Sequence, residues 1–531
     1  MAREIADSSG ATESVYVVRS DISLEALTIS LQALLPSRHS PIVRRRFTVL
    51  DTFDGRIRRA GGRLTQAGLN GRCTITWQPA GGRKHLLVPA RGPVGFAWDL
   101  PDGPLQQVLS SVIGVRRLLA QADAERYGSL LEVLDGRRKI VARLRIESGR
   151  ARPPMVRSAW QPLPIFITLT SLRGYEDVYQ RLVPVIESRP GIEPSPEHPD
   201  DVTLRQVGAP TGAHVSSPLT DLDRTVPAEV GARKVHLGLH QLLILNEPGL
   251  RASLDTEFLH DFRVTIRRTR SLLGQIRQVF PQRVVDHFST EFSWIGRLTG
   301  PLRDTDVLLL ALRERSKEIS SVEMDVLTAF LGESRRQEHQ KLVEALDSAR
   351  YRKLLSDWEG FLTRSNAIGQ KPRNSERPLA HVVSRRAWRL SERIADGAAS
   401  IDERTEPAQL HELRIRAKKL RYLLDATAAL FNAADLEYIL SALKKLQRVL
   451  GDFNDAQVQE DRLLECARAL VDGGAPGSVL VVVGRLAERR RHRREVLRAQ
   501  IVDGLARFRA DDTRSVYRRA FREAVMAKVQ Q

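Results

Sequence analysis

The sequence predicts an α+β N-terminal part rich in antiparallel strands, followed by an all-α part that contains a duplicated helical unit. Three observations predict it. Short β-like runs punctuated by Gly and Pro fill residues 15–190, the apolar spacing turns helical beyond Val226, and two segments 151 residues apart repeat one pattern of charge.

In the first part, Val15–Val18, Phe47–Leu50, Cys73–Trp77, Lys139–Ile146 and Ile165–Leu169 read as strands, being short runs rich in β-branched and aromatic residues. Helical spacing marks Ser23–Leu35 and Leu105–Ala122. Turns fall at Gly61-Gly62, Gly81-Gly82 and Pro153-Pro154. From about Gly191 to Thr225 the chain passes Pro194, Pro196, Pro199, Pro210 and Pro218 with few large apolar residues, which predicts a linker. The expected domains are therefore 1–192, a Pro-rich linker at 193–227, and 228–528.

Within the last of these, helical periodicity covers 228–246, 255–279, 281–299, 303–316, 320–347, 351–364, 377–397, 407–431, 433–450, 454–471, 476–506 and 513–528. Short connections between them favour antiparallel bundles.

The repeated charge pattern is His260, Arg263, Arg267 and Arg270 in the first segment and His411, Arg414, Lys418 and Arg421 in the second. Steps of three, four and three put each set on one helix face. Beside each runs an apolar stripe: Leu259, Phe262, Ile266 and Leu273, then Leu410, Leu413, Ala417, Leu420 and Leu424. Cations so close to a buried face are partly dehydrated and repel one another, at about 1 kcal/mol per close pair in water and roughly 4 at an effective dielectric of 20. A negative ligand would relieve that repulsion. His260 precedes Asp304 by 44 residues, and His411 precedes Asp455 by the same 44, so the duplication extends well past the stripes. Copies packed about a pseudo-twofold axis would bring the two basic faces together.

Composition narrows the function classes. A net charge of +19, from 83 Lys+Arg against 64 Asp+Glu, points to a polyanionic partner. Aromatic residues are only 5% of the chain and do not interleave with the basic stripes, which places single-stranded nucleic acid behind a simpler polyanion. The run Arg485 to Arg498 is basic nearly all round and reads either as a solvated helix or as a surface for any polyanion. Two distant cysteines, Cys73 and Cys466, fit no metal spacing and suit a reducing compartment. Met1 to Ser14 lacks a leader pattern, and the longest aliphatic run, Val479 to Val483, is far below the ~20 residues of a membrane span. A cytoplasmic protein is expected.

Asp304, Asp306 and Asp455 admit three roles. They could brace the arginines, cap helices beginning after them, or hold a metal; bracing and capping are favoured because no His or Cys lies next to them in sequence.

The helical part resembles the CHAD family, the conserved histidine α-helical domain. The matching segments are HDFRVTIRRTR at 260–270, LTGPLRDTDV at 298–307, HELRIRAKKLRY at 411–422 and LGDFNDAQV at 450–458. The resemblance implies two four-helix units about a pseudo-twofold, lined by basic side chains that bind inorganic polyphosphate. It makes His260, Arg263, Arg267, Arg270, His411, Arg414, Lys418 and Arg421 the ligands, with Asp304, Asp306 and Asp455 in support. The N-terminal part resembles the CYTH family, an eight-stranded tunnel found in adenylate cyclases and triphosphatases, through residues 47–66, 73–89 and 130–147. Where that family has Glu-x-Glu-x-Lys on its first strand, this chain has Val15-Tyr16-Val17-Val18-Arg19. Two valines cannot hold the divalent ions that a triphosphatase uses. Glu132 and Glu147 lie on later strands without the opening pair.

The expectation is a polyphosphate-binding protein, not an enzyme, with no catalytic residue, no metal and no cofactor, its granule association implied by the resemblance alone. The tunnel would serve as packing, as a dimerisation surface or as a weakened anion site. The competing classes are a triphosphatase or polyphosphatase working through the tunnel and a nucleic-acid-binding protein. No membrane partner is expected, and self-association is left open.

Overall fold

The computed structural model describes residues 12–19, 21–69, 72–79, 86–90, 92–154, 158–209, 222–316, 322–364, 371–402, 404–508 and 511–523. They form two compact units, Met1–Ser216 and Ser217–Gln531. The Gly81-Gly82 turn lies outside the described residues.

The first unit is built on β1 (Glu13–Val18), β2 (Ser37–Thr52), β3 (Arg63–Leu69), β4 (Arg72–Gln78), β5 (Leu86–Ala90), β6 (Leu118–Leu134), β7 (Ile140–Arg152), β8 (Gln161–Ser171) and β9 (Ile192–Pro194). They make one sheet in the order β5-β4-β3-β2-β6-β7-β8-β1-β9, with every pair antiparallel. Its helices are α1 (Leu24–Leu34), α2 (Arg56–Arg59), α3 (Pro104–Ile113), α4 (Glu176–Glu187) and α5 (Pro199–Gln206). Alternation along the strands sends Tyr16, Leu144, Ile146 and Ile167 to one face, where Leu27 and Leu31 of α1 and Tyr179 and Ile186 of α4 cover them.

Two expectations fail here. The helix predicted over Leu105–Ala122 ends at Gly114, whose φ of 59° glycine alone adopts without strain, and the chain re-enters the sheet at Leu118. Residues 193–206, expected in the linker, belong to the unit, completing β9 and forming α5. Pro199 sits in the first turn of α5, where its missing amide costs nothing, and His198 caps that turn. Burial then holds the helix in place: Leu204 packs with Phe47, Val49 and Ala124, and Val202 with Leu163, Phe166 and Val17.

The second unit is helical. Its first half holds α6 (Ala228–Arg251), α7 (Thr256–Gln275), α8 (Gln282–Ser316), α9 (Val322–Asp347) and α10 (Ala349–Thr363). The second half repeats the order as α11 (Leu379–Ala399), α12 (Pro407–Ala426), α13 (Ala433–Asp472), α14 (Gly477–Phe508) and α15 (Asp511–Arg518), the last continuing as a π-turn through Glu523. Each half thus has four long helices and a short fifth. Pro227 and Pro378, at the starts of α6 and α11, form an antiparallel bridge; Ala228 N donates to Arg377 O at 2.8 Å and Leu379 N to Val226 O at 2.9 Å. This reciprocal pair lies where a twofold between the halves must pass.

Aspartate starts the helix that carries the first stripe, and asparagine the helix that supports the second. Asp255 accepts from the amides of Glu257 and Phe258 before α7, and Asn432 from Ala434 and Asp435 before α13. The helices expected at 281–299 and 303–316 are one, and so are those at 433–450 and 454–471. Pro301 lies inside α8 without ending it, at the loss of the one helical bond its amide would give to Arg297 O; one residue earlier, Gly296 O accepts from Arg263 Nη1 at 3.0 Å and Thr299 Oγ1 at 2.7 Å. Gly451 costs α13 about 1 kcal/mol of propensity, which the burial of Leu450, Phe453 and Ala456 outweighs.

Candidate anion-binding site of the helical unit

Both apolar stripes are fully committed to the core: Leu259, Phe262 and Ile266 of α7 and Leu413, Ala417 and Leu420 of α12 are at most 2% exposed. That burial fixes the rotation of each helix and carries the basic residues, one position on, to the margin of the core. α7 and α12 pack against each other. Gln275 reaches from one to the Lys419 carbonyl of the other at 3.1 Å, and Arg268 approaches Asp425 at 3.8 Å and the Tyr422 ring at 5.9 Å.

The stripes converge at their middles. Burial, and then repulsion from Arg414 and Arg267, drives the Lys418 ammonium down to about 8. Arg263 is lowered by burial and by Arg267, and Arg414 by burial and by Arg267. One cluster therefore contains Arg263 and Arg267 from the first repeat and Arg414 and Lys418 from the second. The ends diverge. Arg270 faces Arg297 instead, and Arg421 is held by Asp425 at 3.3 Å and Gln447 at 3.0 Å. His260 sits half-buried one turn before Arg263. His411 is exposed and lines a cavity of about 280 Å³ with Phe453, Asn454 and Asp461. Its Nδ1 donates to Asn454 Oδ1 at 2.9 Å, which leaves Nε2 as the outward nitrogen.

The three aspartates lie inside helices, so capping is overturned: α8 and α13 run straight through them. Bracing fits better. Arg414 donates to Asp455 at 3.1 Å, and the buried Asp306 accepts from Arg335 at 2.6 Å. Asp304 is raised by burial, with Arg263, Arg462 and Arg303 pulling the other way and Asp455 adding to the rise. Asp304 and Asp455 thus meet near the cationic cluster, equivalent residues of the two repeats. Among the described residues no group of three His, Cys, Asp or Glu could hold a metal ion.

Sequence reasoning passed over Asn454, Arg335, Tyr422 and Asp425. Asn454 lies within LGDFNDAQV, one residue before Asp455, so the 151-residue register could have exposed it: its counterpart is Arg303. Arg335 carried no local signal.

In the first unit, three buried carboxylates hold a larger set of arginines. Glu125 would be raised by burial, but Arg46, Arg44 and Arg150 overcome this and draw it down to about 2. Glu132 pairs with Arg38 and Arg143, and Glu147 with Arg45 at 3.2 Å. Val17, where the resemblance would place a metal-binding glutamate, packs beside Val202.

Paired helical repeats whose second helices present facing basic stripes define one class of domain, and residues 237–464 match the family model described as the CHAD domain. That match runs from within α6 into α13 and so takes in both basic stripes. An uncharacterized protein of Mycobacterium tuberculosis (strain ATCC 25618 / H37Rv) is 27% identical over 263 residues, 47% of this chain and 47% of its own. The match thus spans about half the length of that relative. Among solved structures, the chain is similar to the CHAD domain of the plant Ricinus communis (TM-score 0.47, 24% identity, 55% of this chain and 95% of that one). It is also similar to a Hippeastrum protein described as having a dominant triphosphatase activity (TM-score 0.26, 12% identity, 38% and 97%).

Proposed function

We propose that the helical unit binds inorganic polyphosphate along the two facing basic stripes. The observation that carries the reading is the meeting of Arg263, Arg267, Arg414 and Lys418 from two repeats, where burial and mutual repulsion depress three of the four. Such a site holds unspent electrostatic energy until an anion enters. A linear chain of phosphates suits it because its charge is dense and its oxygens accept the paired N–H groups of arginine. Association with polyphosphate granules follows from the same reading through the family resemblance. No hydrolysis is assigned to the first unit, since Val15 and Val17 replace the expected carboxylates.

The test is a competition titration of long-chain polyphosphate against duplex DNA at equal total charge, run at two salt concentrations. Polyphosphate should displace DNA at both, and its own affinity should fall steeply with salt as counterions are released. DNA competing on equal terms would turn the assignment to nucleic acid.

A further inference from the structure

A second group of arginines stands apart from the facing stripes. Arg386, Arg389 and Arg393 follow the spacing i, i+3, i+7 on α11 and share one face of that helix. Arg277, just past the end of α7, joins them: the Asn374 side chain donates to the Arg277 carbonyl at 2.9 Å, and Asn374 N to Gln278 O at 2.8 Å, tying this corner to the chain that enters α11. Arg386 Nε is buried and has no hydrogen-bond partner among the described residues. Burial, then Arg277, Arg393 and Arg389, lower the Arg386 guanidinium to about 10. Glu392 and Asp396, the two carboxylates of α11, form no ion pair with these arginines among the described residues.

The group is also continuous with the first stripe. Arg263, Arg267, Arg270, Gly274 and Arg277 keep steps of four, three, four and three residues along one face. At Gly274 the surface is open, since a Cβ there would meet nothing within 4 Å. The second repeat has no counterpart: in the 151-residue register Arg277 corresponds to Ala428, and Arg386 to the buried Val235.

We infer that Arg277, Arg386, Arg389 and Arg393 form an extension site that takes a further stretch of a condensed phosphate chain, on one side of the central cluster only. This rests on the polyphosphate reading of the central site and makes affinity depend on chain length. Short anions fill the central cluster alone. Long chains run along α7 past Gly274 and onto α11.

The experiment compares the wild-type chain with the Arg277→Gln/Arg389→Gln/Arg393→Gln variant, which spares the half-buried Arg386. Two probes are titrated at two salt concentrations: tripolyphosphate, and chains of roughly a hundred phosphates. Long-chain affinity should fall about tenfold or more and its salt dependence should lose about two to three released ions, while tripolyphosphate affinity stays the same. Unchanged long-chain binding, or an equal loss for both probes, overturns the extension site. A wild-type chain that binds neither probe overturns instead the central reading on which it rests.

Discussion

Arg267 and Lys418, equivalent residues of the two repeats, act directly on each other, and Arg267 helps hold the Lys418 ammonium near 8, below its ordinary 10.5. Duplication has thus placed like charges together at the join between the halves. Conformational economy does not explain this arrangement, because Leu or Met at either position would pack without repulsion. The proposed ligand of opposite charge would explain it.

Lys418 gives the site an alkaline limit. Above pH 8 the free protein loses this charge, so polyphosphate affinity should decline as pH rises through about 8, with proton uptake on binding at that pH. Lys418→Arg should hold its affinity to higher pH. For folding the sign is the reverse: the unfolded chain keeps the proton up to 10.5, so this group's contribution to stability grows from pH 8 to 10.5. Calorimetry in buffers of different ionisation heat reads the proton directly; no uptake at pH 8 argues against a Lys418 contact.

His236 sets an acid limit on stability. It is wholly buried among Trp358, Phe280 and their neighbours, neither ring nitrogen has a hydrogen-bond partner among the described residues, and burial lowers it from 6.5 to about 3. Between those values the unfolded chain binds the extra proton, so stability should fall as pH drops below 6.5, by up to about 1.4 kcal/mol per pH unit. Thermal unfolding of His236→Phe should show a shallower acid slope. An identical slope would mean that other groups dominate.

Asp306 should be structural. Removing it in Asp306→Ala strands the Arg335 guanidinium, leaving it the Ser253 hydroxyl at 3.0 Å, and should cost about 3–5 kcal/mol. Polyphosphate affinity per folded molecule should be retained. Strong weakening of binding without loss of stability would instead place Asp306 in the site.

Much of this was legible in the chain. The repeat, the faces of α7 and α12 and the residues of the stripes follow from helical periodicity, because burying one apolar face fixes where its neighbours point. The merging of the predicted helices was not legible, since Pro301 and Gly451 are local breakers and the packing that overrides them is long-range. Helix α5 was hidden by prolines that start it instead of preventing it. The α11 arginines carried no local signal in an arginine-rich chain, for only the fold brings Arg277 to them. His411 also changes meaning: with Nδ1 donating to Asn454, Nε2 can donate to phosphate only once the ring is protonated.

The first unit should release no phosphate from tripolyphosphate with magnesium or manganese. Glu132 and Glu147, the acidic candidates on the later strands, are engaged by arginines, Glu13 on β1 has no carboxylate two residues on, and Val17 faces a helix. Metal-dependent release that disappears in Glu132→Gln or Glu147→Gln would show a working tunnel.

The most direct measurement is polyphosphate binding by the Arg263→Glu/Arg414→Glu variant beside the wild-type chain, with circular dichroism on both. The two positions are equivalent in the repeats and half-buried, and the change replaces two cations at the join with two anions. Binding should be abolished while helicity stays at the wild-type level. Full affinity in a folded variant would contradict the account.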